Sequence, residues 1–278
     1  RLAMESIYQD IAARTGGNIY IGVVGPVRTG KSTLIKRIME ELVIPCIDEP
    51  YRKERARDEL PQSGSGRTIM TSEPKFIPEE AAEISPDGKT KLRVRMIDSV
   101  GYMVPGAAGA EEDGTPRMVT TPWYDYEIPM TEAAELGTQK VMQEHCSIGL
   151  VVTTDGTITD IPRSDYIEAE TRAIKDMQAT GKPFLVVINS RNPSGDAAAA
   201  VKSHLRAQRP VLVSLATNDA LAGTAKNLGA VMNYRYYYFV PLKQDDCVNK
   251  PTSLVADFTR LPQAAASALE GVQLQPVF

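Results

Sequence analysis

Gly25-Pro26-Val27-Arg28-Thr29-Gly30-Lys31-Ser32 is where chemistry is most legible in this chain, because it fits the phosphate-loop pattern G-x-x-x-x-G-K-[ST]. Two glycines at that spacing let the backbone turn tightly and aim successive N–H groups at phosphate oxygens. A helix opening at the lysine adds the partial positive charge of its amino terminus. Lys31 then reaches the β- and γ-phosphates of a nucleoside triphosphate, and the Ser32 hydroxyl ligates magnesium. Thr33 closes the set of loop residues expected to touch the phosphates.

A second element is needed at the end of a neighbouring strand, and Arg95-Met96-Ile97-Asp98-Ser99-Val100-Gly101 supplies it. An apolar run ends in Asp98, which places a carboxylate beside the loop to hold the magnesium shell. Gly101 is expected to offer its N–H to a γ-phosphate. Between the two elements lies Arg67-Thr68-Ile69-Met70-Thr71-Ser72-Glu73-Pro74, whose Thr68, Thr71 and Ser72 are three candidate hydroxyls for the metal. Spacing does not choose among them, and an ordinary half-buried strand is the competing reading.

The base is read from what is missing. Guanine specificity in this architecture uses N-K-x-D after a later strand, but the chain has Asn189-Ser190-Arg191-Asn192 there. Asn249-Lys250-Pro251-Thr252 starts the motif without its acid and falls too late. A site built around a carboxylate acceptor loses most when that acceptor is gone. Adenine is therefore favoured over guanine, with Asn189 as the base-side candidate. His145 beside Cys146 reads as a packed or helix-terminal histidine, while Asp155 and Asp160 around a Gly-Thr turn fit an approach to the nucleotide or a neighbour and plain turn chemistry equally well. Arg28 and Arg163 are available to a developing phosphate charge, and nothing selects either.

These groups need a frame. Apolar runs rich in β-branched residues recur at 19–24, 92–97, 148–153, 184–188, 211–215 and 236–240. Helical stretches are expected at 31–43, 131–145, 164–179, 196–207 and 219–228, with an extra one leading at 4–13. A further strand is expected at 68–76. Apolar strands alternating with helices imply an α/β fold, a mostly parallel doubly wound sheet with helices on both faces. One domain over 1–278 is expected, with 191–278 completing the sheet. The long segments 50–91 and 100–129 read as functional or mobile loops.

Composition narrows the partners. The 278 residues are 42% hydrophobic and 24% charged, with net charge -4 and a pI near 5.4. An acidic average argues against nucleic acid as a partner. Three scattered cysteines without a CxxC pair argue against disulfides or structural zinc and favour a reducing cytoplasm. No signal-peptide pattern is expected at RLAMESIYQD, and no apolar run nears the roughly 20 residues that span a bilayer.

Beyond the nucleotide motifs, longer segments carry a resemblance: IYIGVVGPVRTGKST, ARDELPQSGSGRTIMTSEPKF, MIDSVGYMVPGA, PRMVTTPWYD, EAAELGTQKVMQEH, VVTTDGTITDIPRSDYIEAE and GKPFLVVINS. Across roughly residues 5 to 190 the chain resembles the stage IV sporulation protein A family, and past Ser190 the likeness fades. The resemblance implies a phosphate-loop NTPase of GTPase-like (TRAFAC) architecture that binds ATP and Mg2+. It implies that hydrolysis drives self-assembly into a static polymer, the basement layer of the bacterial spore coat. By resemblance Lys31 is the loop lysine and Asp98 the magnesium-site aspartate. Thr71 and Ser72 fall at the paired sensor hydroxyls, which favours Thr71 and puts Ser72 second.

The resemblance also implies a small amphipathic membrane-bound sporulation peptide and other coat proteins as partners. Membrane contact is then peripheral and indirect at most, in mother-cell cytoplasm at the forespore surface. Two other readings stand beside it: a GTPase switch with a non-standard guanine pocket, and a nucleotide-binding scaffold with negligible turnover.

Overall fold

A computed structural model describes residues 2–61, 72–107, 109–112, 114–191, 210–223 and 225–278. The architecture is α/β with a mostly parallel sheet flanked by helices, as the alternation of apolar runs implies. Contacts group the chain into two units.

The first unit holds residues 1–103, 107–150 and 172–184. Its chain order is α1 (Leu2–Thr15), β1 (Asn18–Val24), α2 (Lys31–Ile38), α3 (Pro50–Asp58), β2 (Lys75–Ile84) and β3 (Leu92–Asp98). Two hairpins follow, β4 (Glu111–Glu112) with β5 (Thr115–Pro116) and β6 (Met118–Thr121) with β7 (Tyr124–Pro129). Then come α4 (Met130–Lys140) and the start of β8 (Ile148–Thr154).

β1 and β3 are parallel, from Asn18 opposite Arg93 to Val23 opposite Asp98. β1 thus ends one residue past the level of Asp98, so the loop after β1 and the acid closing β3 share the carboxyl edge. In open α/β sheets that edge is where ligands bind. β2 runs antiparallel to β3 with Lys75 opposite Asp98, and a register shift between Ile77 and Ala82. Val23, Val24, Ile35, Met39, Met96 and Ile97 are almost wholly buried around this strand pair.

Two helices of this unit, α2 and α4, change pitch at their ends. α2 passes into a π-helical turn over Met39–Val43, and α4 into another over Val141–His145. The second packs against β1, where a Cβ on Gly22 would lie 2.7 Å from the Cys146 Cβ and 2.8 Å from Val141 Cγ1. A glycine in that strand lets helix and strand approach closely.

The second unit holds residues 104–106, 151–171 and 185–278. The boundary falls inside both β8 and α5 (Arg163–Ala179). β9 (Phe184–Ser190), β10 (Val211–Thr217) and β11 (Tyr237–Phe239) pair in parallel, β9 and β11 each against β10. β12 (Leu242–Lys243) and β13 (Leu254–Ala256) add antiparallel pairs. α6 (Ala225–Met232) and α7 (Leu261–Leu269) lie among Val211, Val213, Leu228, Val231, Phe239, Leu254 and Val277 in one buried cluster.

Several expected boundaries moved. Of the strand expected at 68–76, residues 68–71 lie outside the described residues; the observed β2 runs from Lys75 to Ile84, where Pro78 and two glutamates had hidden it. The helix expected at 219–228 begins only at Ala225 and runs to Met232, because 220–223 form turns. The segments read as loops contain α3 and the β6–β7 hairpin. The helix expected at 196–207 lies outside the described residues.

Candidate nucleotide site

The loop after β1 adopts the backbone its glycines permit. Gly25 has φ of 129° and Gly30 of 87°, and Arg28 between them also turns left-handed at 59°. Gly30 is the N-cap of α2, and no side chain caps that end. The first-turn N–H groups of α2 are orphan donors at the mouth of the loop, as an anion site requires.

The side chains are held in protein contacts. Lys31 is 5% exposed, and its ammonium donates to the Pro26 carbonyl at 2.6 Å. Thr29 Oγ1 donates to the same carbonyl at 3.0 Å. Ser32 Oγ donates to Asp98 Oδ2 at 2.6 Å, so loop helix and strand end meet as the spacing implied. Burial brings the Lys31 ammonium down to about 8, with the Asp98 carboxylate pulling the other way. Burial pushes the Asp98 carboxyl up, against the Ser32 hydrogen bond and the charges of Lys31 and Lys75.

Gly101 completes the group. Its φ is 101°, and a Cβ there would fall 2.3 Å from the Gly25 carbonyl oxygen and 2.7 Å from Lys31 Nζ. The next residue bridges the loop, since Val27 N donates to Tyr102 O at 2.9 Å and Tyr102 N to Gly25 O at 3.1 Å. The Gly101 N–H itself donates to Thr138 Oγ1 of α4 at 3.1 Å.

Sequence reasoning missed this outer group. The buried Tyr102 gives its hydroxyl to Asp176, and Arg172 lies 4.9 Å from its ring centre while pairing with Glu135 at 2.7 Å. Burial and Asp176 drive the Tyr102 hydroxyl strongly upward from its ordinary value. The one available signal was the Gly137-Thr138 pair, two weak helix formers inside an otherwise helical run.

Among the hydroxyl candidates, Ser72 is buried, and its carbonyl would sit 2.8 Å from a Cβ on Gly137. It lies three residues before Lys75, the strand partner of Asp98. Thr68 and Thr71 lie outside the described residues.

In the second unit, Asp155 is 2% exposed and accepts from Thr157 N at 3.0 Å, from Thr157 Oγ1 at 2.6 Å and from Ser190 Oγ. Thr157 Oγ1 in turn accepts from Arg191 N at 2.8 Å. The Asp155 turn is thus tied to Ser190 at the end of β9, the strand that carries Asn189, and to Arg191 just after it. Arg163 pairs with the buried Glu170 at 2.7 Å, which also accepts from Thr153. His145 packs edge-on against Phe76 with ring centres 5.3 Å apart, as a helix-terminal histidine would.

The family model described as stage IV sporulation protein A, ATPase domain, matches residues 2–239. The chain belongs to that family. The match runs past Ser190, where the sequence resemblance faded. Stage IV sporulation protein A of Bacillus anthracis is 58% identical over 187 residues, 67% of this chain and 38% of that protein. The protein of the same name from Bacillus subtilis matches to the same extent, 58% over 187 residues, again 67% of this chain and 38% of its own. The Clostridioides difficile protein is 51% identical over 209 residues, 75% of this chain and 43% of its own length. The chain therefore spans about two fifths of these relatives. No helix among the described residues is long and apolar enough to cross a membrane.

Proposed function

We propose that this domain binds and hydrolyses ATP with Mg2+, and that turnover drives self-assembly into a static polymer of the spore coat's basement layer. One observation carries the nucleotide part. Among the described residues, Asp98 Oδ1 is buried without a hydrogen-bond partner, while Oδ2 takes the Ser32 hydroxyl. An unpartnered carboxylate oxygen beside a hydroxyl suits Mg2+, which is usually held by one or two carboxylates together with substrate phosphates.

When bound, the ion neutralises charge between the β- and γ-phosphates. Ser32 and Asp98 would hold it, with Thr71 or Ser72 as the further hydroxyl. The orphan N–H groups of α2 and the loop backbone bind the phosphates, and Gly30 and Gly25 supply the turns. Lys31 exchanges the Pro26 carbonyl for phosphate oxygens. Its ammonium then faces the charge that develops as the bond to the γ-phosphorus breaks. Phosphoryl transfer needs mainly positioning and charge neutralisation, so this small set suffices.

Adenine is the base favoured, because Asn189-Ser190-Arg191-Asn192 offers no carboxylate to guanine. The relatives' names support a sporulation role. The same reading keeps homopolymer, coat proteins and a small amphipathic membrane-bound peptide as partners, with the protein at the forespore surface.

The test compares the chain with its Lys31→Ala variant by labelled ATP binding, phosphate release and sedimentation with and without ATP. ATP binding, turnover and pelleting that all depend on Lys31 are expected. Undiminished turnover in Lys31→Ala overturns the site, and competition by GTP as strong as by ATP overturns the base. Pelleting that ignores ATP overturns the link between hydrolysis and assembly.

A further inference from the structure

Three donors expected to meet phosphate or its metal are already engaged by the protein. Lys31 is on the Pro26 carbonyl, Ser32 on Asp98 and the Gly101 N–H on Thr138. The first two acceptors belong to the loop and to β3. Thr138 belongs to α4, away from every nucleotide motif in the sequence.

Its chemistry is well defined. Thr138 is 0% exposed, and its hydroxyl proton goes to the Ala134 carbonyl one helical turn back, at 2.8 Å. That leaves the Oγ1 lone pair as the acceptor for Gly101. Gly101 lies against both Gly25 and Lys31, so its N–H belongs to the phosphate loop's surroundings. A Cβ on the neighbouring Gly137 would fall 2.8 Å from the Ser72 carbonyl oxygen, so the two backbones approach closely. Two adjacent residues of α4 thus meet both segments, Ser72 on one side and Gly101 on the other.

We infer that Thr138 is a positioning residue that sets the preference for nucleoside triphosphate over diphosphate. A γ-phosphate oxygen can take the Gly101 N–H only by replacing Thr138. The gain is the difference between two acceptors, and a diphosphate makes no such exchange. Releasing Thr138 is also how the γ-phosphate is felt in α4, which holds Glu135 against Arg172 and so reaches the Tyr102–Asp176 contact. The inference rests on the nucleotide reading above.

The test uses Thr138→Val, close in shape but without an acceptor, and Thr138→Ser, which restores one. ATP and ADP affinities are measured for each with excess Mg2+. Without Thr138 Oγ1, the Gly101 N–H is left buried and unpaired until a γ-phosphate arrives. The ATP-to-ADP affinity ratio is therefore expected to rise about tenfold in Thr138→Val and to return to wild type in Thr138→Ser.

A ratio unmoved in Thr138→Val, or ATP and ADP shifted equally, overturns the assignment. If Thr138→Val does not fold, the unaltered chain decides by NMR. A nonhydrolysable ATP analogue should shift the Gly101 amide and the Thr138 methyl together, and ADP should shift neither. Signals indifferent to the γ-phosphate overturn it. ATP binding no tighter in wild type than in Lys31→Ala overturns the nucleotide reading and this inference with it. Wild-type binding with an unmoved ratio overturns this inference alone.

Discussion

Ser32 Oγ stands 2.6 Å from Asp98 Oδ2, joining the first turn of α2 to the last residue of β3 across 66 positions of sequence. The pairing leaves the other carboxylate oxygen buried and without a hydrogen-bond partner among the described residues. In Asp98→Asn the carboxyl that burial disfavours becomes neutral. Thermal unfolding without nucleotide should then stay within about 1 kcal/mol of wild type. The rise in melting temperature produced by ATP with Mg2+ should disappear.

Gly101 tolerates no side chain. Alanine there would drive a Cβ to 2.3 Å from the Gly25 carbonyl oxygen at a φ of 101°. Left-handed strain and overpacking act together, so Gly101→Ala should cost about 2–4 kcal/mol in urea unfolding. Gly88 has a φ of 71° but open space around it. Gly88→Ala should cost only about 1–2 kcal/mol, from backbone strain alone. Equal losses at the two positions would refute the crowding argument.

Arg163 was one arginine available to a phosphate charge, and the structure commits it to Glu170. That carboxylate is 1% exposed and held from two sides, by Arg163 and Thr153. Removing the arginine strands a buried charge, so Arg163→Ala should destabilise by about 3–5 kcal/mol. Paired with Glu170→Gln, it should lose much less than the sum. A denaturant double-mutant cycle measures this coupling.

Asp87 gives the expected pH dependence. It accepts from Thr90 N at 2.6 Å, from Thr90 Oγ1 at 2.7 Å and from Lys89 N at 2.9 Å, in the turn between β2 and β3. The Thr90 backbone bond first, then the Thr90 hydroxyl, holds the carboxyl down at about 2. A carboxyl lowered on folding stabilises above its unfolded value near 3.9, and that help is lost as pH falls through about 2. NMR titration should place Asp87 near 2 in wild type and closer to the ordinary range in Thr90→Val.

Much of the candidate site's geometry was legible because it is local. Gly25 to Ser32 form one contiguous turn, and Asp98 and Gly101 lie at one strand end. The strand cores were readable too, since buried parallel strands are apolar throughout. β2 was not, because Lys75, Pro78, Glu79 and Glu80 fit no apolar run, and its pairing with β3 is what makes it a strand. α3 was hidden for the same reason, being almost entirely charged with only Ala56 buried.

The sequence by itself determined the G-x-x-x-x-G-K-S run, the acid that ends the next apolar run and the α/β alternation, because each follows from spacing and side-chain type. Tertiary structure decided who partners those groups. Thr138, Tyr102, Arg172 and Asp176 reach the loop's surroundings through chain folding over 37 to 74 positions, as the Gly101–Thr138 and Tyr102–Asp176 bonds show. Beyond the weak helix formers Gly137 and Thr138, no local pattern marks these residues, since a hydrogen bond across that separation depends on packing and leaves no periodicity in the chain.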